Sequence, residues 1–576
     1  MRLARAAARS VRQRAAQSAR VGLRLTASPQ VVRSRVGSGL WTAVLAAPGL
    51  PERTRSELAG QLQTSLLRAG RSAQAVRAAR VALSRVHDRR LRADLLLRQA
   101  TAELENGTPP SLPAAVAAEL AVADGLLAAG DARRATASIL AVQRLLFNRR
   151  LHFDRMSSPL AADAGRFLAQ WHDSAAVQAL SAPRGRTGVP GPVPTDRPLR
   201  LLIATYGNHG FLKTLRRHFD ARPDVELRFL DPGEDGGEHV PLLNDTRSMV
   251  EHILRGRSTY GDRVRKWLTP HVEWADVVFV DWVAPLAVLF TLVDPGSTRI
   301  VTRLHSFEAF ALWPHLMDFT RVDDVVFVSD HLRDLALAAV PGFTSGGCRL
   351  HVLSNSMDLR SFRRPKRPDA RFTLAVVGVK AIAKDPGWAV RVLRHLRGHD
   401  ERYRLLFFGT EVRAETNPDT RRFWADLRAE IGDLEATGAV VRMGQHDDVP
   451  EALRDVGVIV SSSVREGAPC ALIEGAASGA VPVVRDWPFF AGKPASARTL
   501  FPEDWVVDTP EEAAERIRVA TATEESWRSI REAAADHAIA NWDWEVVKPG
   551  FDELILGTAG ESGTAVATAG GKPDAR

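Results

Sequence analysis

Two glutamates eight residues apart, Glu466 and Glu474, stand in the segment SSSVREGAPCALIEGAASGAVPVV that begins at Ser461. The apolar run GVIV before it reads as a strand ending near Ser463, and a short loop then carries Arg465, Glu466 and Gly467. Pro469 is a favoured first helical residue, and Gly479 closes the helix that follows. Glu466 thus lies just outside the helix start and Glu474 inside the helix, so both carboxylates can meet one bound molecule at different depths. The unpaired backbone N–H groups of a helix start suit a phosphate or a hydroxyl. A carboxylate accepting hydrogen bonds from hydroxyls where water is excluded gains about 1.5–3 kcal/mol per bond. The chemistry on offer is the grip of a phosphorylated, hydroxyl-rich ligand. The plainer reading is an alanine-rich core helix with two incidental glutamates. It would leave Glu474 charged on the packed side of the helix, which is costly.

Three further residues draw notice. His305 closes an apolar run in TRLHSFE, a position that suits a satisfied strand-end histidine as well as a ligand. Gly207 belongs to ATYGNHGF at the turn after the first strand, where a G-x-x-G spacing serves close packing as readily as phosphate binding. Cys470 abuts the glutamates, but a catalytic thiol needs a base partner and none is evident.

Elements that could position these residues alternate along the chain from Leu199 onward. LRLLIAT, VELRFL, ADVVFVDW, TRIVTRLH and DVVFVSD form one set of apolar runs. FTLAVVG, YRLLFFG, AVVRMG, GVIVSSS and VPVVRD form a second, beyond a Pro- and Arg-rich connector near 357–371. Continuous apolar runs separated by helices are buried parallel strands of doubly wound sheets. Two Rossmann-like domains in tandem, 199–357 and 371–555, place a ligand cleft at their carboxyl strand ends.

Upstream, residues 51–180 read as helical. SELAGQLQTSLLRAG and ELAVADGLLAAGDARRATASILAVQRLL each break at a glycine, Gly70 and Gly130. These units resemble tetratricopeptide-type hairpins, and a plain helical bundle fits equally. The region carries no catalytic constellation, so binding a protein partner or positioning is its default role. Residues 181–198, rich in Pro and Gly, read as a linker, and 556–576 as a low-complexity disordered tail.

The formal charge of +9 is local. Residues 1–50 hold nine of the 77 basic residues and no acidic one, leaving 68 basic against 68 acidic in the remainder. A broadly basic nucleic-acid-binding protein is therefore excluded. The arm is either a disordered tail or a contact with an anionic membrane surface, where each Arg contributes roughly 1 kcal/mol. An organellar transit peptide has the same composition. Two cysteines, Cys348 and Cys470, argue for a reducing compartment, and no apolar run is long enough to span a bilayer.

The motif E-x7-E followed by a small-residue helix, Gly and a V-P-V-V strand resembles glycosyltransferase family 4, the retaining "group 1" glycosyl transferases. SNSMDLRSF (354–362), VVGVKAIAKD (376–385), FFGT (407–410), MGQHDDVPEAL (443–453) and NWDWEVV (541–547) fall in that family's order, as do TRLHSFE and FVSDHL in the first domain. The resemblance spans about residues 199–555. It implies a GT-B fold and a cytoplasmic enzyme, at the inner face of the membrane if the arm binds there. The implied reaction moves a sugar from a nucleotide-diphosphate donor to a hydroxyl acceptor, lipid-linked or polymeric, with anomeric retention and no metal cofactor. Glu466, His305 and Lys384 are implied as catalytic: Glu466 on the donor sugar, Lys384 on the leaving diphosphate and His305 across the cleft. Glu474 is implied on the ribose, with Gly467, Ala468, Lys380, Gly378 and Gly207 around the donor.

Three positions depart from the family pattern. Val379 replaces an Arg, with Lys380 as its neighbour; Asp385 replaces a Gly after Lys384; and RDWPFFAGKP replaces a glycine-rich ending. Two other readings stand beside the first: transfer of a polyol phosphate from a CDP-linked donor, and a non-catalytic scaffold.

Overall fold

The computed structural model describes residues 35–557 apart from 105, 106, 108, 235, 380 and 411–417. Lys380, the first 34 residues of the basic arm and the tail beyond 557 thus lie outside the described residues. The chain divides into two compact units. One runs to Leu151 and includes Arg166–Leu180 and Arg247–Arg257; the other comprises His152–Gly165, Ser181–Thr246 and the chain from Ser258.

The first unit is helical, with α1 (Arg35–Ala46), α2 (Glu52–Arg68), α3 (Ser72–Leu83), α4 (Arg89–Glu103), α5 (Leu112–Ala128) and α6 (Ala132–Leu146). Gly70 and Gly130 follow α2 and α5 with φ of +70° and +76°, the left-handed turn that ends a helix and that glycine adopts without strain. Asp88 and Asp131 cap α4 and α6 by accepting first-turn N–H groups. Leu58, Leu62 and Leu66, one face of α2, pack with Ala75, Ala78 and Ala82 of α3. Because α1 starts at Arg35 and buries Trp41 and Leu45, helix begins inside the stretch read as a basic arm. Among the described residues no helix is long and apolar enough to cross a membrane.

The second unit holds two parallel six-stranded sheets, in the expected GT-B arrangement of two Rossmann-like domains. The first sheet has β1 (Leu199–Ala204), β2 (Val225–Leu230), β3 (Val277–Asp281), β4 (Arg299–Leu304), β5 (Asp324–Phe327) and β6 (Arg349–Val352), in the order 2-1-3-4-5-6. The second has β7 (Thr373–Val377), β8 (Arg404–Phe408), β9 (Val440–Gly444), β10 (Val458–Ser461), β11 (Val481–Arg485) and β12 (Val506–Val507), in the order 12-11-10-7-8-9. Strand order reverses between β1 and β3 and between β7 and β10, which opens a crevice at each carboxyl edge. The two strands not anticipated, β6 and β12, are both edge strands. One has partly exposed faces and the other is two residues long, so neither carries a long apolar run.

The domain boundaries differ from those read in the sequence. Residues 181–198 are strapped to the first sheet's domain rather than free. The Arg186 guanidinium pairs with Asp323 at 2.8 Å and donates to Thr298 O, Gly191 N donates to Ser297 O, and Arg197 grips Asp276 with two bonds of 2.7 and 2.8 Å. Gly188 lies flush on Gly296, whose carbonyl carbon would sit 2.8 Å from any Cβ. At the other end, α12 (Glu524–Trp542) belongs to the second domain, but α13 (Trp544–Leu556) does not. Its Phe551, Leu554 and Ile555 join Leu201, Ile203, Phe279 and Val301 in the core of the first sheet. Asp543 makes the turn between them: it caps α13 through Glu545 N and accepts from Leu359 N at 3.0 Å.

Candidate active site in the interdomain cleft

The loops after β1, β3 and β4 on one side and after β7 and β10 on the other enclose a cavity of about 330 Å³. His305, Lys384, Glu466, Gly467 and Ala468 line it, together with Phe211, Trp282 and Phe307. The expected catalytic residues therefore meet in one space. Lys384 and Glu466, 82 residues apart in sequence, are joined by a bond of 2.6 Å from Nζ to Oε1. Ser463 Oγ donates to the same oxygen at 2.5 Å, and Ser462 Oγ holds the Lys384 carbonyl at 2.6 Å. The Glu466 side chain is only 11% exposed, so its ion pair works in a poorly solvated setting.

Gly467 is needed for close approach. A Cβ there would meet Ser306 Cβ at 2.8 Å and Leu332 Cδ1 at 3.1 Å, atoms of the opposite domain. His331, on α8 (Asp330–Ala339), reinforces this contact through Nε2 and the Glu466 carbonyl at 3.0 Å. Burial lowers the His331 pKa to about 4, so the ring is neutral and donates to that carbonyl.

The helix after the loop, α11 (Cys470–Ala477), is placed as expected, with Gly479 at φ +78° behind it. Its amino end offers fewer donors than a bare helix start. Cys470 N donates to Ala468 O, and Leu472 N and Ile473 N donate to Pro469 O. Glu474 is one turn deeper and absent from the cavity wall. Burial pushes its pKa up to about 7. The folded-state value exceeds the ordinary 4.5, so the neutral acid contributes stability that is complete below pH 4.5 and lost as pH rises through 7. Glu474→Gln should remove that loss, raising unfolding stability by about 2 kcal/mol at pH 8 and hardly at all at pH 4. Chemical denaturation at the two pH values tests this, and an equal effect at both would refute it.

His305 is held from behind. Its Nε2 lies 3.0 Å from Asp281 Oδ1, which also accepts from Arg303 Nε at 2.7 Å. Asp281 and Arg303 are opposed in the β3–β4 register, and both are fully buried. Burial alone would raise the Asp281 pKa; Arg303 and His305 more than offset it and hold the carboxyl well below the usual range. Burial also lowers the pKa of His305, only partly countered by Asp281. The imidazole is thus neutral, donates from Nε2 to the carboxylate and keeps Nδ1 as an acceptor. Trp282 stacks on the ring at 4.0 Å and holds φ at +73°, a strained value for a bulky residue. Glu308 ties the two strand ends together by accepting from His305 N and Val283 N, and burial raises its pKa to about 8.

The departures from the family pattern are partnered with one another. Asp385 adopts φ +40°, ψ +61°, the left-handed turn that a glycine would supply. Its carboxylate earns the position by accepting from Trp388 N and pairing with Arg485 at 2.7 Å, the first residue of RDWPFFAGKP. In the same segment Trp487 and Phe490 pack on His331 at 4.9 and 4.6 Å between centroids. Asp385→Ala combines backbone strain with loss of a cap and an ion pair, and should cost about 2–3 kcal/mol. Asp385→Gly relieves the strain and should cost about 1 kcal/mol less, measured as a difference in denaturation midpoint. Equal costs would sink this account. Val379 packs against the second-domain core and does not line the cavity.

Besides Glu474, two expected donor residues, Gly207 and Gly378, are placed off the cavity wall. Gly207 lies outside the cavity lining; its N–H donates at 2.9 Å to Asp231, whose carboxylate also accepts from Gly233 N and contacts His209. The loop is locked by its own acid. Gly378, at φ +85°, follows β7 behind Lys384, where an added Cβ would stand 3.7 Å from the Lys384 Cε, and is likewise not part of the wall. Cys470 does line the cavity, but burial raises its thiol pKa to about 12 in spite of the bond that Asn355 Nδ2 donates to its sulfur, which disfavours a thiolate nucleophile. Asp281, Trp282, Glu308 and His331 were not singled out from the sequence, although each stands within or beside a run that was read as a strand end.

No protein-family model matches the chain, and no curated protein matches it either. Solved structures with a similar arrangement include TarM of S. aureus, with a TM-score of 0.40 and 12% identity over 53% of this chain and 60% of that one. Another is Anabaena Alr3699/HepE in complex with UDP and glucose, with a TM-score of 0.43 and 14% identity over 62% and 100% of the chains. A third is a UDP-forming α,α-trehalose-phosphate synthase from Burkholderia xenovorans, with a TM-score of 0.45 and 13% identity over 63% and 100%.

Proposed function

We propose that the cleft transfers a sugar, with anomeric retention, from a nucleotide-diphosphate donor to a hydroxyl acceptor in the synthesis of a cell-envelope polysaccharide or glycolipid. The observation that carries this reading is the 2.6 Å contact of Lys384 with Glu466 inside a cavity that His305 also lines. Asn355 Oδ1 and Ser461 Oγ, buried in residues lining the same cavity and without a hydrogen-bond partner among the described residues, add acceptors for a hydroxyl-rich ligand.

On donor entry, Glu466 accepts hydrogen bonds from the sugar hydroxyls, and Lys384 turns from Glu466 toward the diphosphate. The bond from the anomeric carbon to the phosphate oxygen breaks and its electron pair leaves with the diphosphate, whose growing charge Lys384 neutralises. The acceptor oxygen bonds to the anomeric carbon from the same face, and its proton passes to the departing phosphate oxygen. Neutral His305 offers Nδ1 to a sugar hydroxyl. Glu474 takes the ribose, a role that requires its carboxylate to lose the proton that burial favours. The basic arm supports placement at an anionic membrane on the cytoplasmic side.

Calorimetric titration of the full chain with UDP-sugars, GDP-sugars and CDP-glycerol tests the reading. Binding of a UDP- or GDP-sugar, with slow hydrolysis when no acceptor is present, is expected. CDP-glycerol binding alone would replace it with polyol phosphate transfer, and silence across the panel with a scaffold.

A further inference from the structure

Residues 152–165 lie within the stretch read from sequence as the helical region, yet they pack with the sheet-containing unit. They reach both sides of the cleft. The Phe153 ring lies 5.5 Å from Phe307 and 5.7 Å from Phe310 of the first domain. On the second-domain side, the Arg465 guanidinium stands 4.7 Å over the Phe153 ring, and Lys493 Nζ donates to Ala161 O. Arg465 is the neighbour of Glu466, so the Phe153 ring borders the loop that carries the reactive carboxylate.

Phe307 lines the cavity and is nevertheless 47% exposed, while Phe310 behind it is 1% exposed. A large aromatic that lines the cavity while half in water has an apolar face open to a ligand. Phe310 and Phe153 support it from behind and beside, and a guanidinium borders it. That surface matches a pyranose, which presents a flat face of C–H groups and a rim of hydroxyls. An acyl chain needs a long apolar channel, and a linear polyol has no flat face to offer.

We propose that Phe307 and Phe153 form the acceptor subsite and that the acceptor hydroxyl is carried on a sugar ring. The inference rests on the transferase reading for the word acceptor; the affinity for a sugar ring stands on these residues alone.

The test is saturation-transfer NMR on the full chain with the methyl pyranosides of glucose, galactose, mannose and N-acetylglucosamine, and with glycerol as the non-ring probe. At least one glycoside should receive saturation at its ring C–H protons and glycerol none. Phe307→Ala and Phe153→Leu should each weaken that signal about fivefold, since a stacked ring contact is lost while the branched Leu keeps the apolar bulk. Glu466→Ala should leave it in place, because the glycoside sits outside the donor grip. No signal across the panel, signal indifferent to both phenylalanines, or signal lost in Glu466→Ala would each overturn the proposal. Loss of nucleotide-sugar binding by calorimetry with the glycoside signal intact would instead remove the transferase reading and keep the sugar site.

Discussion

Glu466→Ala leaves the protein folded and abolishes transfer, a fall of about 10³-fold or more in turnover, or some 4 kcal/mol of transition-state stabilisation. The size follows from the two tasks that meet at one carboxylate. In the proposed reaction Glu466 holds the donor sugar, and its contact with Lys384 positions the cation that would receive the leaving diphosphate. Truncation removes the first and releases the second. The loop itself survives, because its anchor to the first domain is the Glu466 carbonyl on His331, a backbone contact that alanine keeps. The melting temperature should therefore shift by only a few degrees while activity vanishes. Turnover equal to that of the parent would discard the site assignment.

Asp281→Ala is expected to have the largest effect on stability, about 3–5 kcal/mol. The change leaves Arg303, which is fully buried, without its counter-charge, and frees Nε2 of His305 from its acceptor. Asp281→Asn retains one acceptor oxygen and should cost less, yet it offers an amide where His305 and Arg303 both expect an anion. The pH dependence has a definite sign. The Asp281 pKa lies below its ordinary value, so its contribution is fully present above pH 3.8 and is lost as acid protonates it. Denaturation of the parent should therefore weaken in acid more steeply than that of Asp281→Ala. Curves that run parallel would refute the assignment.

Local pattern carried much of this. Apolar runs with helices between them gave both sheets, and Pro469 and Gly479 bracketed α11 because proline and glycine act through their own backbone preferences. The spacing of Glu466 and Glu474 predicts that both meet one bound molecule, whereas only Glu466 stands on the cavity wall. Pairings across the fold were not legible in the same way. Asp281, Arg303 and His305 meet only because β3 and β4 align in one register, which no single segment encodes. Asp385 and Arg485 each looked like a lost family feature, and the pair they form, a hundred residues apart, is visible only in three dimensions. Nothing in the motif NWDWEVV says that the helix it opens covers the first sheet. Gly207 looked like a ligand loop, and Asp231, the acid that occupies its N–H, lies beyond the reach of a short motif.

The return of α13 to the first sheet has a consequence for how the chain is made. Phe551, Leu554 and Ile555 are among the last described residues synthesised, and they fill the core begun by Leu199–Ala204. On the ribosome the second sheet can therefore close first, while the first waits with an uncovered apolar face until the end of the message has been read. A nascent chain stalled before Trp544 would expose that face to chaperones, and a stop codon there would yield an aggregation-prone protein that still carries His305, Lys384 and Glu466.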